Sequence, residues 1–350
     1  MAKEFSVIAE SGSSKGDTTV NTDVSWPADT TEAWARVLKM QTKLHQWAKN
    51  DSVRRCDGVF NLGYDRAFLV AAWNRGQGKR GGRTAGVDGV VPRSIPPERV
   101  RGMLSELRAS VKLGEFHPEP VRQKSIPKAN GKVRSLGIPT MTDRIVQASL
   151  KLVLEPIFEA DFQPSSYGFR PRRRAQDAIA EIHFYASRGY VQVFEADITA
   201  CFDEIDHDAL MQRVRARIID KRVLRLIRGF LSAGVLSEDG VNRNTYTGTP
   251  QGGILSPLLA NIALSVVDEH FQRKWEAYGS QWERTKYQRA GGATMKLVRY
   301  ADDFVVLVRG SRADAEALWD EVTKVLSPIG LRLSVEKTLV THVDTGFDFL

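Results

Sequence analysis

The sequence is poor in cysteine: Cys56 and Cys201 are the only two among 350 residues, and the six histidines are scattered. Together they form no metal-ligand spacing, which excludes a cysteine–histidine metal module and points to a reducing, cytoplasmic setting. No apolar run is long enough to span a bilayer, so no membrane contact is expected. The N-terminus has neither the apolar core of a secretory signal nor the Arg-rich, acid-poor character of an organellar transit peptide. No internal repeat is apparent.

What is abundant is positive charge. Fifty Lys plus Arg stand against 42 Asp plus Glu, for a formal net charge of +8 and a pI near 9.4. The first 30 or so residues are acidic and rich in Ser, Thr and Gly, a composition expected to be disordered, so the surplus in the remainder is larger than the total. Such a surplus suits a polyanionic partner. A hydrophobic fraction of 42% with 26% charged residues is that of a globular chain with a sizeable core.

The basic residues are clustered. The stretch from Asn74 to Arg83 is a Gly-rich basic loop, either a solvated linker or a phosphate-contacting arm. Arg170, Arg172, Arg173 and Arg174 follow the aromatics Phe162, Tyr167 and Phe169, the mixture of stacking faces and phosphate ligands that single-stranded or structured nucleic acid needs. Arg213, Arg215, Arg217, Lys221, Arg222, Arg225 and Arg228 lie on helices whose apolar stripe includes Leu210, Val214 and Ile218, and most read as a solvated face. Before these, Trp34, Val37, Leu38, Leu44 and Trp47 recur at helical spacing and predict an accessory helix.

The chemistry is expected at two acidic elements. Tyr300-Ala301-Asp302-Asp303 sits between two β-rich runs, Lys296–Arg299 and Phe304–Val308, which predicts a hairpin with two carboxylates at its tip. An isolated Asp-Asp turn is commonly only solvated, but a second apolar strand runs from Tyr190 into Asp197. Three carboxylates so placed can hold two Mg2+ ions about 3.5–4 Å apart and support phosphoryl transfer. Between them, Gly248 to Pro257 reads as a glycine turn opening a helix, with Ser256 as N-cap and Pro257 at the first helical position. Glycines before a helix permit close backbone approach by a nucleotide.

In combination these motifs resemble the reverse transcriptases of group II introns. The resemblance rests on Asp197 with Phe202, Thr249-Pro250-Gln251-Gly252, Tyr300-Ala301-Asp302-Asp303 and Gly330 to Thr338. It rests also on two stretches like the family's fingers motifs, Ile126 to Thr140 and Tyr167 to Pro171, and on Gly86-Val87-Asp88-Gly89 upstream. It runs from about residue 34 to the last residue. It implies that Asp197, Asp302 and Asp303 are the catalytic aspartates, holding two Mg2+ ions (or Mn2+) with the Ile198 backbone carbonyl. Phe202 would be the gate that favours dNTPs, Lys128 and Arg134 would bind the triphosphate, and Gln251 and Lys337 would complete the nucleotide site. Phe169, Arg170, Arg172, Arg173 and Tyr300 would contact nucleic acid. Ser135 departs from a frequent proline, and Arg174 and Gln176 from the Ser and His often seen after Phe-Arg-Pro.

The implied fold is an α+β right hand, with an N-terminal extension and fingers over residues 31–190. A palm over 191–350 would carry an antiparallel sheet flanked by helices in βαββαβ order, with its last strand near Leu331 to Val335. A helical excursion at about 208–247 would lie on the fingers side. Phe347 to Leu350 resemble the start of a primer grip, after which a thumb and maturase domain would be expected; the sequence contains neither, so poor primer extension by this chain is expected. The implied activity is RNA-directed DNA synthesis in intron mobility with a splicing role, its partners intron RNA, an RNA template with DNA primer, and dNTPs, with a homodimer open. An RNA-binding splicing cofactor, or a domesticated reverse transcriptase in phage defence or spacer acquisition, are the alternatives.

Overall fold

The computed structural model describes residues 25–77, 83–127 and 133–350. Most of the acidic leader, part of the Gly-rich loop and Lys128 lie outside the described residues.

Helix α1 (Thr30–Asn50) is capped by the Asp29 side chain, which accepts from the Glu32 amide, and it buries Ala33, Val37, Leu44 and Ala48 along one stripe. Helices α2 (Phe60–Gly63), α3 (Arg66–Gln77) and α4 (Pro97–Leu113) follow; Gly114, at φ 78°, closes α4 in the left-handed conformation. Strands β1 (Val121–Pro127) and β2 (Val133–Ile138) pair antiparallel and lead into α5 (Met141–Glu159), capped by Thr140. Helices α1, α3 and α5 pack on one another and form the base of the fingers.

Helix α6 (Ala175–Ala186) precedes the central strand β3 (Gln192–Ala196). Next come α7 (Cys201–Glu204), α8 (His207–Arg215), α9 (Lys221–Ser232) and two short strands, β4 (Val235–Leu236) and β5 (Asn242–Arg243). Strand β4 pairs parallel with β1, so this excursion from the palm extends the fingers sheet, in the order β2-β1-β4-β5. Helices α10 (Ser256–Ala277) and α11 (Gln281–Arg289) return the chain to β6 (Thr294–Tyr300) and β7 (Asp303–Arg309). Helices α12 (Arg312–Glu316) and α13 (Leu318–Leu326) then lead to β8 (Leu339–His342).

The palm sheet is antiparallel throughout, ordered β6-β7-β3-β8. In chain order it is β-α-β-β-α-β, the split arrangement expected. Every residue from Phe304 to Val308 is buried, because β7 is covered on both faces. Phe304, Val306 and Val308 join the main core, whereas Val305 and Leu307 pack with Tyr167, Ala178 and Ile182. The alternation follows from the two-residue period of a strand.

Two local expectations are corrected. The last strand is not Leu331–Val335 but β8; Leu333 makes a single bridge to Ile198, and residues 334–338 close a turn in which the Thr338 amide donates to Ser334 O at 2.9 Å. Ser256 is not the N-cap of α10, which is Leu255; its hydroxyl instead donates to Pro250 O at 2.8 Å and closes the glycine turn. Among the described residues no helix is long and apolar enough to cross a membrane.

Candidate active site

The palm register brings the acidic elements together. Ala196, the last residue of β3, pairs with Phe304, so Asp197 leaves its strand beside the residue that opens β7, Asp303. Tyr300 pairs with Asp303, leaving Ala301 and Asp302 as a two-residue hairpin turn. Ala301 has φ 59°, a left-handed conformation that costs a residue with a Cβ roughly 1–2 kcal/mol.

A buried arginine holds that turn. Arg299 is 0% exposed, and each of its five N–H groups has an acceptor. Nε and Nη2 form a fork on Asp268 at 2.8 and 2.5 Å; Nη1 donates to Asn261 Oδ1 at 3.0 Å and to Ala301 O at 2.6 Å; Nη2 also reaches Ser166 Oγ at 2.8 Å. Asn261 in turn donates to Gly168 O at 2.8 Å. A Cβ at Gly168 would collide with the Ala301 amide, so only glycine lets this segment lie against the hairpin turn. The network thus joins α10, the Ser166–Gly168 segment and the tip of β6–β7.

Electrostatics mark the cluster. Partial burial, then Asp302 and Asp197, raise the pKa of Asp303 above the usual carboxylate range. Lys337, carried on the turn after Leu333, donates to Asp197 Oδ1 at 2.8 Å, and its pKa is raised by that bond and by all three aspartates. Among the described residues no three carboxylate, imidazole or thiol groups close into a cage around an ion. The donor set still fits Mg2+, which binds through one or two carboxylates with substrate phosphates and water rather than in an all-protein cage. The mutual repulsion of the aspartates is the charge deficit that a divalent cation relieves.

Beside the aspartates, the Gln251 amide donates to Asp203 Oδ2 at 3.4 Å, and the Thr249 amide donates to Phe202 O at 2.6 Å. Phe202 meets Phe169 edge to face at 6.3 Å. The structure therefore gathers Asp197, Ile198, Phe202, Gln251, Lys337, Tyr300, Asp302, Asp303 and Phe169 around one end of the palm sheet. Arg134 is exposed on β2, opposite Ile126, and no described contact ties it to the aspartates.

The arginines after Phe169 divide. Arg170, expected at nucleic acid, is only 8% exposed; it pairs with Glu159 at 2.6 Å and donates to the carbonyls of Gln163 and Ser166, so it braces the fold and has no free face for a phosphate. Arg173 donates to Pro164 O at 2.6 Å and lies over the Tyr167 ring. Arg172 is exposed.

Sequence reasoning missed Arg299, Asp268 and Asn261. A signal existed: Asn261 and Asp268 are seven residues apart on an otherwise apolar helix face, and Arg299 interrupts an apolar strand. It missed His207 as well, which is 4% exposed and whose Nε2 lies 2.7 Å from Gly248 O, holding the turn that carries Gln251.

Residues 126–350 match the family described as reverse transcriptase (RNA-dependent DNA polymerase). The chain is 36% identical over 334 residues to protein YkfC of Escherichia coli (strain K12), covering 90% of this chain and 87% of YkfC. It is 33% identical over 319 residues to the group II intron-encoded protein LtrA of Lactococcus lactis subsp. cremoris, covering 77% of this chain and 52% of LtrA. It is 30% identical over 314 residues to the putative COX1/OXI3 intron 1 protein of Saccharomyces cerevisiae, covering 78% of this chain and 36% of that protein. The chain spans about half or less of these two longer relatives. By the family matched over most of its length, the chain belongs to the reverse transcriptases, and it is similar to group II intron-encoded proteins.

Proposed function

We propose that this chain adds dNTPs to a primer 3′-hydroxyl on an RNA template, in the service of group II intron mobility and splicing. The observation that carries the reading is the convergence of Asp197, Asp302 and Asp303 at one end of the palm sheet, with Lys337 as their counter-charge. Asp197, Asp302 and Asp303, with the Ile198 carbonyl, would hold Mg2+. Mg2+ held by these residues would supply the positive charge that lowers the pKa of an attacking hydroxyl and offsets charge on the departing pyrophosphate.

The chain's own residues supply position and selectivity. Phe202, braced by Phe169, offers an aromatic face where a ribose 2′-hydroxyl would be crowded, which favours dNTPs. Gln251 is presented by a turn fixed at both ends, by His207 on Gly248 O and by Ser256 on Pro250 O. Lys337 balances the aspartates before substrate arrives and is placed to meet a triphosphate. Arg134 and Lys128, on either side of the fingers hairpin tip in sequence, would reach the same phosphates. Tyr300, Phe169, Arg172 and Arg173 are the residues we assign to template and primer, without Arg170.

The test is addition of a single nucleotide to a DNA primer on an RNA template with Mg2+ and dNTPs, a step that needs no processive hold on the duplex. The reading expects dNTP-dependent addition, with rNTPs used far less well, and a Phe202→Ala variant that narrows this discrimination by at least about tenfold, or 1.4 kcal/mol. A folded protein that adds no nucleotide would defeat the reading.

A further inference from the structure

The basic residues on and near α8 and α9 sort into two sets. Arg213, Arg217, Arg222 and Arg228 each face an acid: Glu269, Asp161, Asp220 and Asp208. Arg217 is turned fully inward, where it also binds the carbonyls of Ala48 and Asp51 at the end of α1. Arg215, Lys221, Arg225 and, from the loop after α1, Arg55 are exposed and form no ion pair among the described residues. A merely solvated face would scatter such residues, yet all four line one cleft of about 580 Å³.

Arg228 also lines it, and Asp208 is the single acid among the described residues there, so five cations less one anion give these residues a formal charge of +4. Lys221, Arg225 and Arg228, at i, i+4 and i+7, form one stripe with a cation at each turn, about 5.4 Å apart. The floor is apolar, from Met211, Ile218 and Leu224, and among the described residues no aromatic ring lines the cleft. A single strand is ordinarily held by stacking its bases on aromatic side chains. A duplex offers regularly spaced phosphates and no free base faces, and duplex RNA is recognised by shape and backbone.

We propose that the cleft between α8 and α9 is a second nucleic-acid contact, which takes the phosphate backbone of a base-paired RNA stem. It shares no residue with the aspartate site. That the nucleic acid is RNA rests on the function proposed above; the site itself rests on the cleft's charge and lining.

The test is fluorescence anisotropy with a labelled, blunt-ended RNA hairpin, titrated with the full chain across a series of salt concentrations, without primer, dNTP or metal. The triple variant Arg215→Gln/Lys221→Gln/Arg225→Gln is expected to bind the hairpin about 100-fold more weakly at 0.15 M salt, with a log–log salt slope shallower by about 2 to 3. An unstructured RNA of equal length should lose much less. Single-nucleotide addition on a short primer–template should stay within about twofold of the parent. Because the binding assay needs no catalysis, an inactive polymerase would leave it readable.

Unchanged hairpin affinity and slope would overturn the proposal, as would an equal loss for unstructured RNA. Loss of binding to polyglutamate alone would overturn it in favour of an acidic protein partner, and parallel loss of nucleotide addition would make the cleft part of the palm site. Should the triple variant not fold, the single variants Arg215→Gln and Arg225→Gln are each expected to lower the slope by about 1.

Discussion

Lys337 lies 2.8 Å from Asp197 Oδ1 as the counter-charge to three carboxylates, an arrangement that stores unfavourable charge in the fold until a divalent ion or a phosphate responds to it. Removing one carboxylate should therefore stabilise the metal-free protein. Asp303→Asn is expected to melt higher than the parent at neutral pH in EDTA, and Mg2+ should raise the parent more than the variant; thermal scans in both conditions check this. A second residue sets a pH dependence away from the site. Asp143 on α5 is 1% exposed, with Oδ2 accepting from the Glu119 amide at 3.3 Å, and burial pushes its pKa up to about 6. A raised folded pKa means that its contribution to stability is complete below the ordinary carboxylate value of about 3.9 and is lost as pH rises through about 6. The loss amounts to roughly 3 kcal/mol at neutral pH, so Asp143→Asn should flatten the decline in melting temperature between about pH 4 and 6. The meeting of Asp197, Asp302 and Asp303 was legible in the sequence because each follows or interrupts an apolar strand in a fixed motif order. Arg299 and Arg170 were not, because whether an arginine faces solvent or a buried acid depends on packing that neighbouring residues do not reveal.

At the scale of elements, the β6–β7 hairpin turn is held from two sides, by α10 and the Ser166–Gly168 segment, through Arg299. Breaking the Arg299–Asp268 pair leaves a charge buried without its partner, which costs about 3–5 kcal/mol. Asp268→Ala should lose that much in urea unfolding. Gly168→Ala should instead push the turn aside; its signature is a fall in kcat for nucleotide addition with little change in KM for dNTP, because the shift falls on the carboxylates. Equal activity in Gly168→Ala would show that the turn tolerates displacement. Long elements with clear periodicity, such as α1, α10 and the hairpin, could be read in advance. The β8 register could not: Leu331 to Val335 has a strand-like composition, but its backbone meets the chain after β3 only at Asp197 and Thr199, around the single Leu333–Ile198 bridge, before a turn closed by Thr338 delivers Lys337. Ser256 misled for a similar reason, since a serine before a proline reads as a cap while its hydroxyl is engaged by Pro250 O.

At the scale of the molecule, the main hydrophobic core runs without a break from Val37 in α1 through α5 and α10 to Leu333 in the palm. Fingers and palm are thus expected to unfold together: far-UV circular dichroism and tryptophan fluorescence should report coincident transitions, and separated midpoints would show two independent units. The right-hand architecture was legible from the order of motifs, whereas the entry of β4 and β5 into the fingers sheet depends on a parallel pairing with β1 that no local pattern signals. The proposed function requires that the three aspartates form one nucleotidyl-transfer site. It is tested most directly by single-nucleotide addition to a DNA primer on an RNA template with Mg2+, comparing the parent with Asp302→Ala at matched folding. The parent is expected to add the nucleotide, and the variant to lose at least about 1,000-fold, or roughly 4 kcal/mol. A folded Asp302→Ala protein that adds the nucleotide at the parent's rate would contradict it.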